Sequence, residues 1–384
     1  MDIREQTEDD FEHVQRIRKL AFGRVNEDAP RIEPGSRGLV AALDGRPAGV
    51  LGIGEYAQFF GGRAVPMGGI GGVAVDPYAR GRGVASQLLD TALRTMREHG
   101  QVLSVLYPTV PELYRTRGWD RAGVFEWTTL PMDRLLAAPK PGTRLRAEPA
   151  TENTLKALHE CYVGLARTVN GMIDRRPPRV DVSKVLEMDT VSVLPGDDGT
   201  VRGYLTAQRQ SDGGLKVFDL IGTDPDAQLS LLAELKSWTG IVENLQIRIT
   251  DPGLLSFLTS QQLRYDVGRS TWLMRVVDLP AAVAARGWPT HLRDSAVDIE
   301  VVDETAPWHA GRHRIVVEDG SVRCEPGGSG AVTMTARALG PWFSGMHDTH
   351  ALRRAGLLDG DPADAALLDQ LAAAPGVPRL ADFF

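Results

Sequence analysis

Residues 68–93, GGIGGVAVDPYARGRGVASQLLDTAL, allow few folds. Residues 71–75 form a short apolar run that Asp76 and Pro77 stop. Arg80-Gly81-Arg82-Gly83 is a basic loop poor in side chains. Val84, Leu88, Leu89, Ala92 and Leu93 then recur at helical spacing. The segment predicts a strand, a glycine turn and a helix. A helix entered through glycines presents bare N–H groups and the positive end of its dipole, which together receive a phosphate or pyrophosphate. No Gly-Lys-Ser/Thr closes the loop, so it is not a P-loop, and G-x-G-x-x-G is absent.

A chain of 384 residues exceeds one ordinary core and predicts two or three domains. The net charge of −7 argues against nucleic acid as the main partner and suits a cationic small molecule. Cys161 and Cys324 stand far apart, with neither metal-ligand spacing nor a disulfide framework, which fits a reducing cytoplasm and predicts no metal. No apolar run is long enough to span a bilayer, and the start, MDIREQTEDDFEH, lacks a signal-peptide apolar core.

Ahead of the loop, residues 2–6 read as a strand and Thr7 as the N-cap of a helix, with Asp10 at its third position. Residues 38–43 and 48–56 form a hairpin turned at Asp44-Gly45, and 65–75 the next strand. Behind the loop helix come a strand at 102–107, a short helix at 111–117 ending at Gly118, and a strand at 124–130.

Arg80-x-x-Gly83-x-Ala85 in this setting resembles the coenzyme A pyrophosphate loop of the GNAT N-acetyltransferases, and the order of elements matches theirs. Beyond a proline-glycine linker at 139–143 the pattern partly repeats. Strands are predicted at 143–148, 201–208, 215–221, 245–249 and 270–277, and helices at 150–164, 226–238 and 253–259. Val75-Asp76-Pro77 answers to Thr223-Asp224-Pro225, and Trp119-Asp120 to Tyr265-Asp266. Gln228-Leu229-Ser230-Leu231 stands where the first half has its Arg-Gly loop, so the second copy is expected to hold no cofactor. Residues 281–384 carry short strands at 297–302, 313–318, 321–325 and 331–335, and helices at 336–340, 349–355 and 362–374.

That tail, through Ala306-Pro307-Trp308, Gly311-Arg312-His313-Arg314, the Ala-Leu-Gly at 338–340, Ala355-Gly356 and the terminal Phe383-Phe384, resembles the sterol-carrier-like domain of the multi-acetylating "enhanced intracellular survival" (Eis) branch. The expected fold is α+β. Two tandem GNAT-like domains, each a mixed sheet with helices on both faces, precede a sterol-carrier-like α+β domain. The expected bounds are 1–138 (active), 144–280 (degenerate) and 281–384.

The resemblance implies an acetyl-CoA-dependent N-acetyltransferase working by direct transfer in a ternary complex. It places cofactor contacts on Val73, Ala74 and Val75, on Arg80, Gly81, Arg82, Gly83, Val84, Ala85 and Ser86, and on Thr109 and Val110. A position often basic in this branch is Gly81 here, which shifts the phosphate grip towards Arg80 and Arg82. A backbone N–H of strand 73–75 would polarise the thioester carbonyl. Tyr114, with a phenol pKa of about 10, would protonate the leaving thiolate. The terminal carboxylate on Phe384 would take the amine's proton, and Asp382 would add attraction for a cation. Glu27, Asp28 and Glu33 in the polar loop 23–37 are candidates to line a cation entrance, though they read equally well as solvated surface. The expected acceptors are primary amines of aminoglycosides, polyamines or lysine side chains, and the family trait is a homo-oligomer, a hexamer built as a trimer of dimers. Two other readings compete: a binding protein whose sterol-carrier-like domain holds an apolar ligand, and an enzyme for proteins or peptides alone.

Overall fold

The computed structural model describes residues 1–23, 30–251, 253–254 and 266–384. Glu27, Asp28, Tyr265 and most of the helix expected at 253–259 lie outside the described residues. The chain divides into two compact units: Met1–Gly123 with Thr271–Pro378 and Phe384, and Val124–Ser270 with Arg379–Phe383. No helix among the described residues is long and apolar enough to cross a membrane.

The first unit opens with β1 (Asp2–Glu5), α1 (Phe11–Phe22), β2 (Ser36–Leu43), β3 (Arg46–Phe60), β4 (Arg63–Val75), α2 (Val84–Glu98), β5 (Leu103–Leu106) and α3 (Pro111–Arg115). Asp10 fixes the entry to α1: its carboxylate accepts from the Thr7 N–H at 2.8 Å and from Arg4 at 2.6 and 2.7 Å. Asp44 (φ 53°) and Gly45 (φ 75°) supply the two left-handed residues that a tight β2–β3 turn needs. Leu88, Leu89, Ala92, Leu93 and Met96 bury one face of α2. β6 (Asp120–Pro131) passes from the first unit into the second at Val124.

The second unit continues with β7 (Glu148–Pro149), α4 (Leu155–Ala166), β8 (Thr190–Pro195), β9 (Val201–Arg209), β10 (Leu215–Gly222), α5 (Pro225–Leu235), β11 (Asn244–Ile247) and the start of β12 (Asp266–Val276). Its strands run in the order β6-β11-β10-β9-β8-β7, over a core that includes Leu205, Leu220, Leu231, Leu232 and Leu245. The first unit's order is β1-β2-β3-β4-β5-β12, parallel between β4 and β5 and antiparallel between β5 and β12.

The structural division therefore departs from bounds set at the 139–143 linker. The last strand of each half pairs in the other unit: Leu130 lies opposite Leu245, and Leu273 opposite Leu106. The strand expected at 143–148 shrinks to Glu148–Pro149. Gly142 and Thr143 donate instead to Asp226 at 2.8 and 3.1 Å, and Leu145 to the Ser230 hydroxyl at 3.0 Å.

The tail adds α6 (Leu279–Ala285), β13 (Ser295–Val302), β14 (Gly311–Glu318), β15 (Ser321–Pro326), β16 (Val332–Thr335), α7 (Ala336–Ser344), α8 (Thr349–Arg354), β17 (Leu358–Gly360) and α9 (Pro362–Ala372). Its five-stranded sheet is ordered β15-β14-β13-β16-β17. In the first unit, buried Arg275 on β12 donates to Asp303 at 2.5 Å, and the His309 ring lies 2.7 Å from the same carboxylate.

The second unit is held by a buried charge network. Arg175 donates to Asp219 at 2.6 and 3.1 Å and to Asp382 at 3.0 Å. Burial pushes the Asp219 carboxyl up, but Arg175 and Arg248 more than offset this and hold it at about 2. The folded pKa is depressed below the unfolded value of about 3.9. Asp219 thus contributes about 2 kcal/mol above that value, and the contribution is lost as pH falls to about 2. Asp219→Asn should cost about 3–5 kcal/mol near neutrality, because Arg175 and Arg248 stay buried with a partner missing. Urea midpoints across the acid range should show this cost and a flatter pH dependence for the variant.

Candidate active site

The glycine loop is shaped by its own backbone. Asp76, 4% exposed, accepts from the Tyr78 N–H at 3.3 Å and is paired with Arg16, which fixes the end of β4. Gly81 (φ 74°) and Gly83 (φ 77°) are both left-handed, a conformation costly for any residue with a Cβ. Gly83 is the N-cap of α2, so the N–H groups of Val84, Ala85 and Ser86 have no acceptor within the helix. A Cβ built on either glycine meets nothing within 4 Å, so the loop is uncrowded at both glycines. Arg80 is exposed and makes no ion pair with a described residue, whereas Arg82 reaches Asp44 at 3.2 Å. This is a cradle of the kind a pyrophosphate fits.

The strand before the loop separates from its neighbour. β4 and β5 pair at Met67–Leu103, Gly68–Ser104 and Gly69–Val105, and no further. β4 runs on to Val75. A bulge at Gly72 (φ 61°) shifts its register against β3. Beyond Gly69, the β5-facing edge of β4 therefore lacks a strand partner, and Val73, Ala74 and Val75 lie on this stretch. Along this edge the backbone polar groups of β4 have no ladder partner on the β5 side.

Tyr114 sits on α3, 7% exposed, with its ring edge-on to Trp119 at 6.5 Å. Trp119 is held by an indole N–H donated to Ser104 at 3.2 Å. Burial pushes the Tyr114 phenol above its ordinary value. Its hydroxyl has no hydrogen-bond partner among the described residues. Thr109 and Val110 are exposed just ahead of α3.

Phe384 lies in the first unit, its ring 4.9 Å from Tyr56 and 5.7 Å from Tyr107. The close packing passes over Gly69, where an added Cβ would come within 2.7 Å of the Phe384 ring and 2.8 Å of Tyr56. Sequence reasoning missed Tyr56, Tyr107 and Gly69. The available signal was the Gly68-Gly69 pair inside a strand, which marks a close approach of other groups. Asp382 belongs to the second unit and is paired with Arg175. Glu33 is exposed and lines a small cavity with Arg18.

In the second half the loop is absent rather than filled. α5 begins at Pro225 directly after its N-cap Asp224, whose carboxylate accepts from the Ala227 N–H at 3.0 Å. Gln228, Leu229, Ser230 and Leu231 are buried helical residues, not a loop. Gly222 packs so tightly on Gln228 that an added Cβ would lie 2.5 Å from its backbone nitrogen. No cradle comparable to that at Gly81–Gly83 is left there.

Comparison with known proteins agrees with this geometry. Residues 2–122 match the acetyltransferase (GNAT) domain family and residues 279–380 the sterol carrier protein domain family. The chain is 28% identical over 320 residues to an uncharacterized N-acetyltransferase of Streptomyces coelicolor, covering 77% of this chain and 75% of that one. It is 26% identical over 411 residues to N-acetyltransferase Eis of Mycobacterium tuberculosis, covering 96% and 95%. The crystal structure of a GCN5-related N-acetyltransferase from Kribbella flavida superposes with a TM-score of 0.87 at 25% identity, covering 100% of this chain and 98% of that one. Eis1 from Mycobacterium abscessus shares the fold, with a TM-score of 0.79 at 22% identity and full coverage of both chains. With the glycine cradle and the open β4 edge, this protein is an acyltransferase that carries a GNAT acetyltransferase domain and a C-terminal sterol carrier protein domain, and it is similar to Eis over nearly its full length.

Proposed function

We propose that the first unit transfers the acetyl group of acetyl-CoA to primary amines of cationic small molecules such as aminoglycosides and polyamines. The observation that carries this reading is the parting of β4 from β5 after Gly69, which leads into the bare N-terminus of α2. Backbone N–H groups of 81–86 with Arg80 and Arg82 hold the pyrophosphate, Thr109 and Val110 flank the donor, and N–H groups of 73–75 hold the thioester arm. Acetyl-CoA supplies the acetyl group; the residues move the protons. Tyr114 gives a proton to the leaving thiolate, and the Phe384 carboxylate receives one from the amine. The Tyr56, Tyr107 and Phe384 rings offer an aromatic face that attracts an ammonium. Thiol release from acetyl-CoA across a panel of aminoglycosides, polyamines and lysine peptides, with products located by mass spectrometry, tests the reading. Release with peptides alone would move the activity to protein substrates, and no release with any amine would remove it.

The phosphate grip gives a separate prediction. A charge-assisted hydrogen bond contributes about 1.5–3 kcal/mol. Arg80→Ala should therefore raise KM for acetyl-CoA about tenfold or more with kcat little changed. Arg82→Ala should cost less, because Arg82 already shares its charge with Asp44. Steady-state kinetics at low and high salt checks both, and the penalty should shrink as salt rises.

A further inference from the structure

The second unit contains a cavity of about 520 Å³ that the acetyl-transfer reading does not use. Trp127 and Phe218 form one wall, their rings 5.4 Å apart at 88°, and Phe125 continues it 6.1 Å from Trp127. Three carboxylates line the cavity, and each is engaged. Asp219 accepts from Arg175, from the Tyr204 hydroxyl at 3.1 Å and from Arg248 at 3.4 Å. Asp382 accepts from Arg175. Asp181 accepts from the Ser183 N–H at 3.0 Å and its hydroxyl at 2.6 Å.

The cations are placed differently. Lys216 Nζ stands 4.2 Å from the Trp127 ring centre and 5.5 Å from that of Phe218, and it has no ion pair among the described residues. The Arg248 guanidinium lies 5.3 and 5.5 Å from the same two rings. Two of the protein's own cations already stand near the Trp127 and Phe218 rings and would repel a foreign ammonium. An incoming cation would be repelled by Lys216 and Arg248, and the two carboxylates Asp219 and Asp382 already pair with Arg175. An anion would find Lys216 uncompensated, with flat apolar walls beside it.

We propose that the second unit binds a flat aromatic or conjugated organic monoanion in this cavity, its ring system against Trp127 and Phe218 and its acid group on Lys216. The half that lacks a coenzyme A loop would thus keep a ligand site of different chemistry. This proposal does not depend on which amine the first unit acetylates.

The test uses the full-length protein and two probes of one shape: naphthoate, an anion near neutral pH, and naphthamide, its neutral counterpart. Calorimetric titration should give naphthoate at least about tenfold tighter binding than naphthamide. Lys216→Gln should remove that advantage while leaving naphthamide affinity and acetyl-CoA turnover unchanged, and Lys216→Arg should retain it. A tenfold change corresponds to about 1.4 kcal/mol. Equal affinities for the two probes would overturn the proposal, as would full naphthoate affinity in Lys216→Gln or no binding of either probe. Spermidine competing with naphthoate would also overturn it, because it would mark the cavity as a cation site.

Discussion

Tyr114→Phe should lower kcat about a hundredfold or more while leaving KM for acetyl-CoA nearly unchanged. The two effects separate because the proposed hold on acetyl-CoA lies in the loop and the β4 edge, whereas Tyr114 stands on α3, buried against Trp119. Phenylalanine keeps the ring and its packing and removes only the hydroxyl. That hydroxyl has no partner among the described residues, so its loss breaks no internal hydrogen bond and the fold should persist. General acid catalysis of this kind contributes about 10²–10⁴-fold. The sign of the pH effect follows from burial, which raises the phenol's pKa. The donor is then fully protonated at neutral pH, and its deprotonation limb in kcat lies above the ordinary phenol value of about 10. The variant should lack that limb. Stopped-time thiol assays across pH, with circular dichroism as a fold control, measure both effects. A kcat equal to that of the unaltered enzyme would take Tyr114 out of the reaction.

What the sequence made legible was local. The Asp-Pro stop, the two left-handed glycines and the α2 periodicity lie within 26 consecutive residues, and each acts on its immediate neighbours. The Thr7–Asp10 entry to α1 and the Asp44-Gly45 turn were legible for the same reason. The exchange of last strands was not. Residues 124–131 and 271–276 have similar strand-forming composition, and partner choice depends on pairing across more than a hundred residues of chain. β8 was missed because its six residues follow a polar, proline-bearing stretch that reads as loop. At Gln228–Leu231 the sequence did not show that the loop itself is missing. Asp224-Pro225 starts the helix at once, so there is no loop for side chains to block. Tyr56, Tyr107 and Phe384 meet only after folding, and no spacing rule links them.

Displacing Phe384 should have an effect as large as losing Tyr114, and three changes separate its ring from its carboxylate. Deleting Phe384 takes its ring from beside Tyr56 and Tyr107 and moves the terminal carboxylate back to Phe383, and should lower kcat about a hundredfold. Amidating it keeps the ring between Tyr56 and Tyr107 but removes the negative charge. Gly69→Ala keeps the charge but drives a methyl to 2.7 Å from the ring, well inside contact. Gly69 is not among the left-handed glycines, so alanine strains no backbone there and its effect comes from crowding the Phe384 and Tyr56 rings together. Overpacking of this kind costs about 1–3 kcal/mol of stability. A free α-carboxylate has a pKa of about 3.5, far below an ammonium, so it accepts the proton only as the amine is attacked or through water. In the proposed reaction its main contribution is a fixed negative charge beside the developing cation, which is electrostatic preorganisation. The amide should therefore be nearly as inactive as the deletion, and Gly69→Ala should lie between them and the unaltered enzyme. An amide with full kcat would assign Phe384 a packing role only, and the proton acceptor would then have to be sought among other groups facing Tyr56 and Tyr107.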